Sequence, residues 1–300
     1  MKILLSGDTH LRFTAPARRK DDFFNTQIGK MRQCIDIYHE NKCGAWLQSG
    51  DLTDSSESSN RVLSTYIEIL RDEHILIHTI QGQHTLYMRN ESSVGRTALG
   101  VLEAAGVVER LCPDGTLLDG VMVYGFDYGK KPDTMTLTKG RNYAVVHAMI
   151  SPDKLYPDHV PIKPEDVGQE LDMFDGILCG DYHCEFLHKG PPWVLNPGCL
   201  VRLTTHERDM GHQPTCYVLD TDTNELTRHE IKIAPAEDVF DLGGDDKAQA
   251  DEQALQKLVS KLREEEATGL TFRDRLTTYL AEHDIDDDIA SLIANGLESK

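Results

Sequence analysis

The chain has 300 residues, 39% of them hydrophobic and 27% charged, enough for one substantial core with a small appendage. No apolar run approaches the roughly 20 residues of a membrane span, and Met1-Lys2-Ile3-Leu4-Leu5 turns polar at Ser6, too soon for a secretory leader. Seven cysteines without a CxxC pair argue against a disulfide framework or structural zinc site and point to a reducing cytoplasm, while a net charge of −19 disfavours tight unaided binding of nucleic acid.

In chain order, residues 2–6 form an apolar run that reads as a first buried strand. From Asp21 to Glu40 the apolar set Phe24, Ile28, Met31, Ile35 and Tyr38 recurs at helical spacing, with Asp21 and Asp22 suited to the helix start. Residues 45–49 give a second strand, and Val62, Tyr66, Ile69 and Leu70 mark a helix. Residues 75–80 give a third strand, and residues 96–105 return as a helix. Strand and helix in alternation predict an α/β sheet with right-handed crossovers.

From about residue 117 strand candidates crowd together at 121–126, 143–148, 174–179, 193–196, 215–220 and 225–233, with Gly and Pro between them. They predict a second, mixed or antiparallel sheet packed on the first. After Asp241-Leu242-Gly243-Gly244-Asp245-Asp246 the pattern turns helical, with stripes at Ala254, Leu255, Leu258, Val259 and Leu262 and at Ile285, Ile289, Leu292 and Ile293. The expected division is therefore a domain over 1–240 and an acidic helical segment over 241–300, which holds fifteen acids and seven bases.

Chemistry concentrates where apolar strands end. The first three strands run into Gly7-Asp8-Thr9-His10, Gly50-Asp51 and Gly82-Gln83-His84. Two later ones run into Val145-Val146-His147 and Gly180-Asp181-Tyr182-His183. An Asp and a His one residue apart on extended backbone point the same way, so both can reach one ion. Sites in open α/β sheets lie beyond the carboxyl ends of strands. Any single cluster has a plain structural alternative: a capped turn at Asp8, a helix cap at Asp51, a backbone-satisfied strand end at His147, a Gly-Asp turn at Asp181. The succession of five is the signal.

That succession resembles the signature of the calcineurin-like metallophosphoesterases: Asp-x-His, Gly-Asp, Gly-Asn-His, His and Gly-His-x-His. It is similar in particular to the SbcD branch, the nuclease partner in bacterial and phage double-strand-break repair complexes, whose Pro-Gly-Ser turn Asn196-Pro197-Gly198-Cys199 resembles. The resemblance covers residues 1 to 235 and implies two packed mixed sheets flanked by helices, with a small helical C-terminal appendage. It also implies a pair of divalent ions, Mn²⁺ first, with Mg²⁺ or another first-row ion as substitutes. Asp8, His10 and His183 would hold one ion, Asp51 would bridge, and Gln83, His147 and Asp181 would complete the second, while His84 would face the scissile phosphate as general acid or transition-state stabiliser. The implied activity is exo- or endonucleolytic hydrolysis of DNA phosphodiesters by a metal-activated water, in repair or recombination. An SbcC-like ABC-type ATPase docked on the C-terminal part is the implied partner, and a homodimer is a second expected assembly.

Three departures fall on this pattern. Gln83 stands where the family has Asn, Asp181 where it has His, and Thr85 where an Asp follows the catalytic His. They keep two other readings in play: a phosphatase or phosphodiesterase acting on nucleotides or phosphoproteins, and a catalytically weak scaffold subunit. Arg12, Arg18 and Arg19, with Lys20, follow the first ligand pair and suit either a phosphate backbone or a solvated loop.

Overall fold

Along Lys2–Ser6 (β1) alternate side chains enter different cores: Ile3 and Leu5 pack with one apolar cluster, Leu4 with another, and all three are fully buried. That period of two is how a strand buried on both faces must distribute its side chains. In this computed structural model, which describes residues 1–87, 91–132, 137–156 and 159–242, the pattern extends into a four-layer arrangement of helices, sheet, sheet and helix.

The first sheet is built on four parallel strands: β1, Ala45–Gln48 (β2), Ile77–Thr79 (β3) and Val108–Arg110 (β4). The second runs in the order β5-β6-β7-β8-β10-β9, from Thr116–Leu118 (β5), Val121–Phe126 (β6), Asn142–His147 (β7), Gly176–Gly180 (β8), Phe186–His188 (β9) and Trp193–Asn196 (β10). Its centre is parallel and both its edges are antiparallel. Thr215–Asp220 (β11) and Glu225–Glu230 (β12) were expected in this second sheet. They belong instead to the first, where β11 runs antiparallel to β1 with Leu4 opposite Val218. The reason is burial: Tyr217 and Leu219 join the core between the sheets, and Cys216 and Val218 join the outer one.

Between the sheets lie Ile3, Leu47, Val123, Val145, Leu178 and Leu195, each at most 1% exposed. Phe23–Glu40 (α1), Asn60–Asp72 (α2) and Ala98–Ala104 (α3) cover the outer face of the first sheet, and Pro164–Glu170 (α4) covers the second. Asp22 caps α1, its carboxylate accepting from the Asn25 amide, and Ser59 caps α2. Asp51 is therefore not a helix cap. Among the described residues no helix is long and apolar enough to cross a membrane. The expected helical segment over 241–300 lies outside the described residues apart from its first two.

Because β1, β2 and β3 are parallel, their carboxyl ends share one edge of the first sheet. β7 and β8 end on the second sheet beside it, since His147 and the residues after Gly180 touch residues that follow β1 and β2.

Candidate metal centre

Just past β1 and β2 the backbone itself knits the first two loops. Thr9 and His10 amides donate to the Asp51 carbonyl at 3.3 and 3.0 Å, and the Leu11 amide donates to Leu52. The turns are sharp enough to force His10, Asp51 and Asp181 into the left-handed region, at φ 45, 47 and 85. For non-glycine residues that conformation is strained, and three instances at one centre mark a geometry the surroundings impose. Glycines make the approach feasible. A Cβ on Gly82 would lie 2.1 Å from Asp51 Oδ1, and one on Gly50, at φ +103, would lie 2.4 Å from His147 Nδ1.

Asp8 Oδ2 lies 3.9 Å from His10 Nε2 and 3.8 Å from His183 Nε2, and these two nitrogens face each other at 3.1 Å. His147 donates from Nδ1 to the Ser49 carbonyl at 2.7 Å and presents Nε2 to Asp51 Oδ2 at 3.2 Å. Asp51 Oδ1 accepts the His84 amide at 2.9 Å. Among the described residues, three groups bring their ligating atoms within 4.8 Å of one another: Asp8, His10 and His183; His10, Asp51 and His84; Asp8, Asp51 and His147. Asp8, His10 and Asp51 each belong to two of them, so the groups form one continuous cradle.

Gln83 and Asp181 join it as a pair. The Gln83 amide nitrogen donates to Asp181 Oδ1 at 2.5 Å, and the Asp181 backbone amide donates to Asp8 Oδ2 at 3.1 Å. Asp181 belongs to none of the three close groups. Of this carboxylate, expected to reach an ion, Oδ1 is engaged by Gln83. His84, expected to bind no metal, lies within ligand distance of His10 and Asp51. Its Nδ1 donates to the Asp54 carbonyl at 2.9 Å, which leaves Nε2 as the remaining polar atom of an exposed ring.

Charge in the cradle is unbalanced. Burial, more than any neighbour, pushes the Asp8 carboxyl up to about 6, and burial raises Asp181 as well. Burial works against ionisation of Asp51 too, but the adjacent His147 outweighs it and holds that carboxyl below its ordinary value. For His147 burial opposes the proton, and Asp51 overrides it, raising the imidazole to about 10. Burial and the facing His10 push His183 down, so it is a neutral lone-pair donor. Asp8, Asp51 and Asp181 are 2%, 0% and 8% exposed, which is costly for carboxylates without compensating positive charge.

These residues fit divalent cations on a further observation. Gln83 Oε1 is buried without a hydrogen-bond partner, and an unpaired buried acceptor of this kind can be satisfied by an ion. Mixed imidazole, carboxylate and amide donors suit Mn²⁺ or a similar first-row ion.

Two features had no signal strong enough to single them out in the sequence. Asp54 sits between three functional groups: Oδ1 is 3.5 Å from His10 Nδ1, Oδ2 is 2.9 Å from an Arg12 guanidinium nitrogen, and its carbonyl holds His84. Where the family pattern has an Asp after the catalytic His, Thr85 is buried and donates its hydroxyl to Gly82, so a backbone carbonyl orients the imidazole instead. Ser49 is the second, accepting from His147 and donating from Oγ to Asp8 Oδ1 at 3.2 Å.

The three arginines expected at a phosphate backbone separate. Arg12 lies at the cradle through Asp54. Arg18 donates to the Asp241 carbonyl. Arg19 is structural: its side chain is 2% exposed, paired with Asp21 and donating to the Arg202 carbonyl, with Phe23 and Phe240 rings 4.8 and 5.0 Å away. It has no donor face left for a phosphate.

No family model matches the chain. It is 26% identical over 271 residues to the DNA double-strand break repair protein Mre11 of Haloferax volcanii, covering 82% of this chain and 56% of the relative. It is 32% identical over 95 residues to exonuclease subunit 1 of enterobacteria phage T4, covering 30% of this chain and 27% of the relative. The chain thus spans about half the length of one curated relative and about a quarter of the other. A dimetal phosphatase from Danio rerio superposes with a TM-score of 0.51 over 78% of this chain and 97% of its own, at 10% identity. The two mixed sheets flanked by helices in this chain form the calcineurin-like metallophosphoesterase fold, distantly related to the Mre11 and phage exonuclease branches.

Proposed function

We propose that this protein is a two-metal phosphodiesterase that cleaves DNA, as the nuclease subunit of a repair or recombination complex. The observation that carries the reading is the shared cradle, in which Asp8, His10 and Asp51 each serve two overlapping ligand groups. The cradle would hold two divalent ions, whose Lewis acidity would activate a water and offset charge on the phosphate oxygens. Asp8, His10 and His183 would hold one ion and Gln83 and His147 the other, with Asp51 between them and Asp181 orienting Gln83.

The chain's own residues do the rest. His84, with Nδ1 committed to the Asp54 carbonyl, presents Nε2 as the atom for proton transfer to the departing sugar oxygen. Asp51 Oδ1 fixes the His84 backbone through its amide, so ligand and acid are positioned together. Arg12, neutralised in part by Asp54, supplies positive charge at the same mouth.

The likeness to a break-repair protein and a phage exonuclease subunit supports DNA as the substrate. The net charge of −19 supports a partner that contributes the basic surface, and an ABC-type ATPase of the SbcC kind, docked through residues 241–300, fits that role. Release of nucleotides from single- or double-stranded DNA in Mn²⁺, abolished by Asp51→Ala, is the test. Equal cleavage by that variant would contradict the reading.

The same charge favours a second reading, hydrolysis of nucleotides or phosphoproteins, because an acidic surface does not gather DNA. Turnover of a small phosphate ester with no cleavage of any DNA, alone or with the ATPase, would select it.

A further inference from the structure

Tyr128 follows β6 on the second sheet and is 42% exposed at the edge of the cradle. An exposed aromatic alone signifies little. This one is held in place from two sides. Its backbone amide donates to the Gln81 carbonyl at 2.8 Å, and the Gln81 amide donates back to Asp127 Oδ1 at 2.7 Å. The reciprocal latch ties the loop after β6 to the loop after β3, two residues before Gln83. The ring also meets the His147 imidazole, centroids 6.2 Å apart and planes at 65°, so part of it packs on a candidate ligand while much of it stays open.

A rigid aromatic surface beside a phosphate-hydrolysing centre suits a flat π-system attached to that phosphate. Exposed Lys130 and Lys131 follow directly, a local run of positive charge in a strongly acidic chain. Bases stack on aromatic side chains whatever their sequence, and basic residues nearby track the backbone. A phosphoserine or phosphothreonine offers no such ring.

We propose that Tyr128 is a stacking platform for the nucleobase adjoining the scissile phosphate, so that the centre selects diesters carrying a nucleoside over those without one. The assignment rests on the phosphodiesterase reading and narrows it to nucleic acid or nucleotide esters.

The test compares two diesters with one leaving group, thymidine 5′-(p-nitrophenyl phosphate) and methyl p-nitrophenyl phosphate, on the full chain in Mn²⁺. The wild type is expected to favour the thymidine ester in kcat/KM, chiefly through KM. Tyr128→Ala should shrink that preference about tenfold, the size of one stacking contact, and Tyr128→Phe should retain it. Turnover of both esters without preference in the wild type would overturn the platform and leave the phosphodiesterase reading intact. Equal loss of both esters in Tyr128→Ala would also overturn it, as a structural role. Turnover of neither ester by the wild type would remove the reading and the platform together.

Discussion

Gln83 and Asp181, 98 positions apart, touch through a 2.5 Å hydrogen bond from the glutamine amide to the aspartate carboxylate. They are the two positions at which the expected ligands differ in kind from the Asn and His of the family pattern, and the structure makes them one unit. Aspartate is shorter than histidine, and glutamine longer than asparagine, so each change fits the other. Fixing the amide nitrogen on Asp181 leaves Gln83 Oε1 buried and free of any other partner.

Coupling between these residues is the first prediction. Gln83→Asn and Asp181→His, made singly, should each weaken the lower-affinity Mn²⁺ about tenfold, the usual cost of losing an orienting partner. The double variant should recover most of that loss. Calorimetric titration of all four proteins measures the cycle, and strict additivity would mean the contact carries no function.

Gly82→Ala should be far more damaging than a surface glycine substitution. The new methyl would lie 2.1 Å from Asp51 Oδ1, where neither backbone nor carboxylate can yield. We expect a loss of about 1–3 kcal/mol in denaturant unfolding, together with loss of metal binding. Gly106→Ala serves as a control for position: nothing lies within 4 Å of its added carbon, so only its positive φ of +72 is strained, and Mn²⁺ binding should persist.

Arg19→Ala should destabilise without touching the chemistry. Removal leaves the mostly buried Asp21 with no cation beside it, only the Thr26 hydroxyl, and empties the space between Phe23 and Phe240. A cost of about 3 kcal/mol is expected, with Mn²⁺ affinity unchanged in the folded protein. Chemical denaturation and Mn²⁺ titration of the same preparation separate the two effects.

Stability of the metal-free protein should fall as pH rises from about 7 to 10. His147 is raised to about 10 by Asp51 against its own burial, well above the ordinary value near 6.5. A group raised in the folded state stabilises below its unfolded pKa, and that contribution is lost as pH climbs through the folded value. Asp8, raised by burial to about 6, acts in the same direction at lower pH. Metal ligation needs neutral imidazole, so the stabilisation added by Mn²⁺ should grow with pH over the same window. Melting temperatures with chelator and with Mn²⁺, at two pH values, check both signs, and His147→Asn should flatten the metal-free slope.

The sequence made Asp8, His10, Asp51 and His147 legible because each closes an apolar strand, and strand ends are local patterns. The same logic could not assign β11 and β12 to a sheet. The pairing of β11 with β1 joins residues more than two hundred positions apart, β12 follows β11 as a hairpin, and alternation alone names no partner. Arg19 reads as a loop cation because charge says nothing of enclosure by Phe23 and Phe240. Asp54 escaped notice because its contacts to His10, Arg12 and His84 depend on a turn after β2 rather than on any spacing. The Gln83–Asp181 contact was hidden for a similar reason: each looked like a defect when considered alone.

The central claim is that loops from both sheets hold two adjacent cations. Anomalous diffraction from crystals soaked in Mn²⁺ measures it directly. The account predicts two peaks about 3.5–4 Å apart, with Asp51 touching both, Asp8, His10 and His183 on one side, and His147 and Gln83 Oε1 on the other. No peak at saturating Mn²⁺, or a single peak away from Asp51, would contradict it.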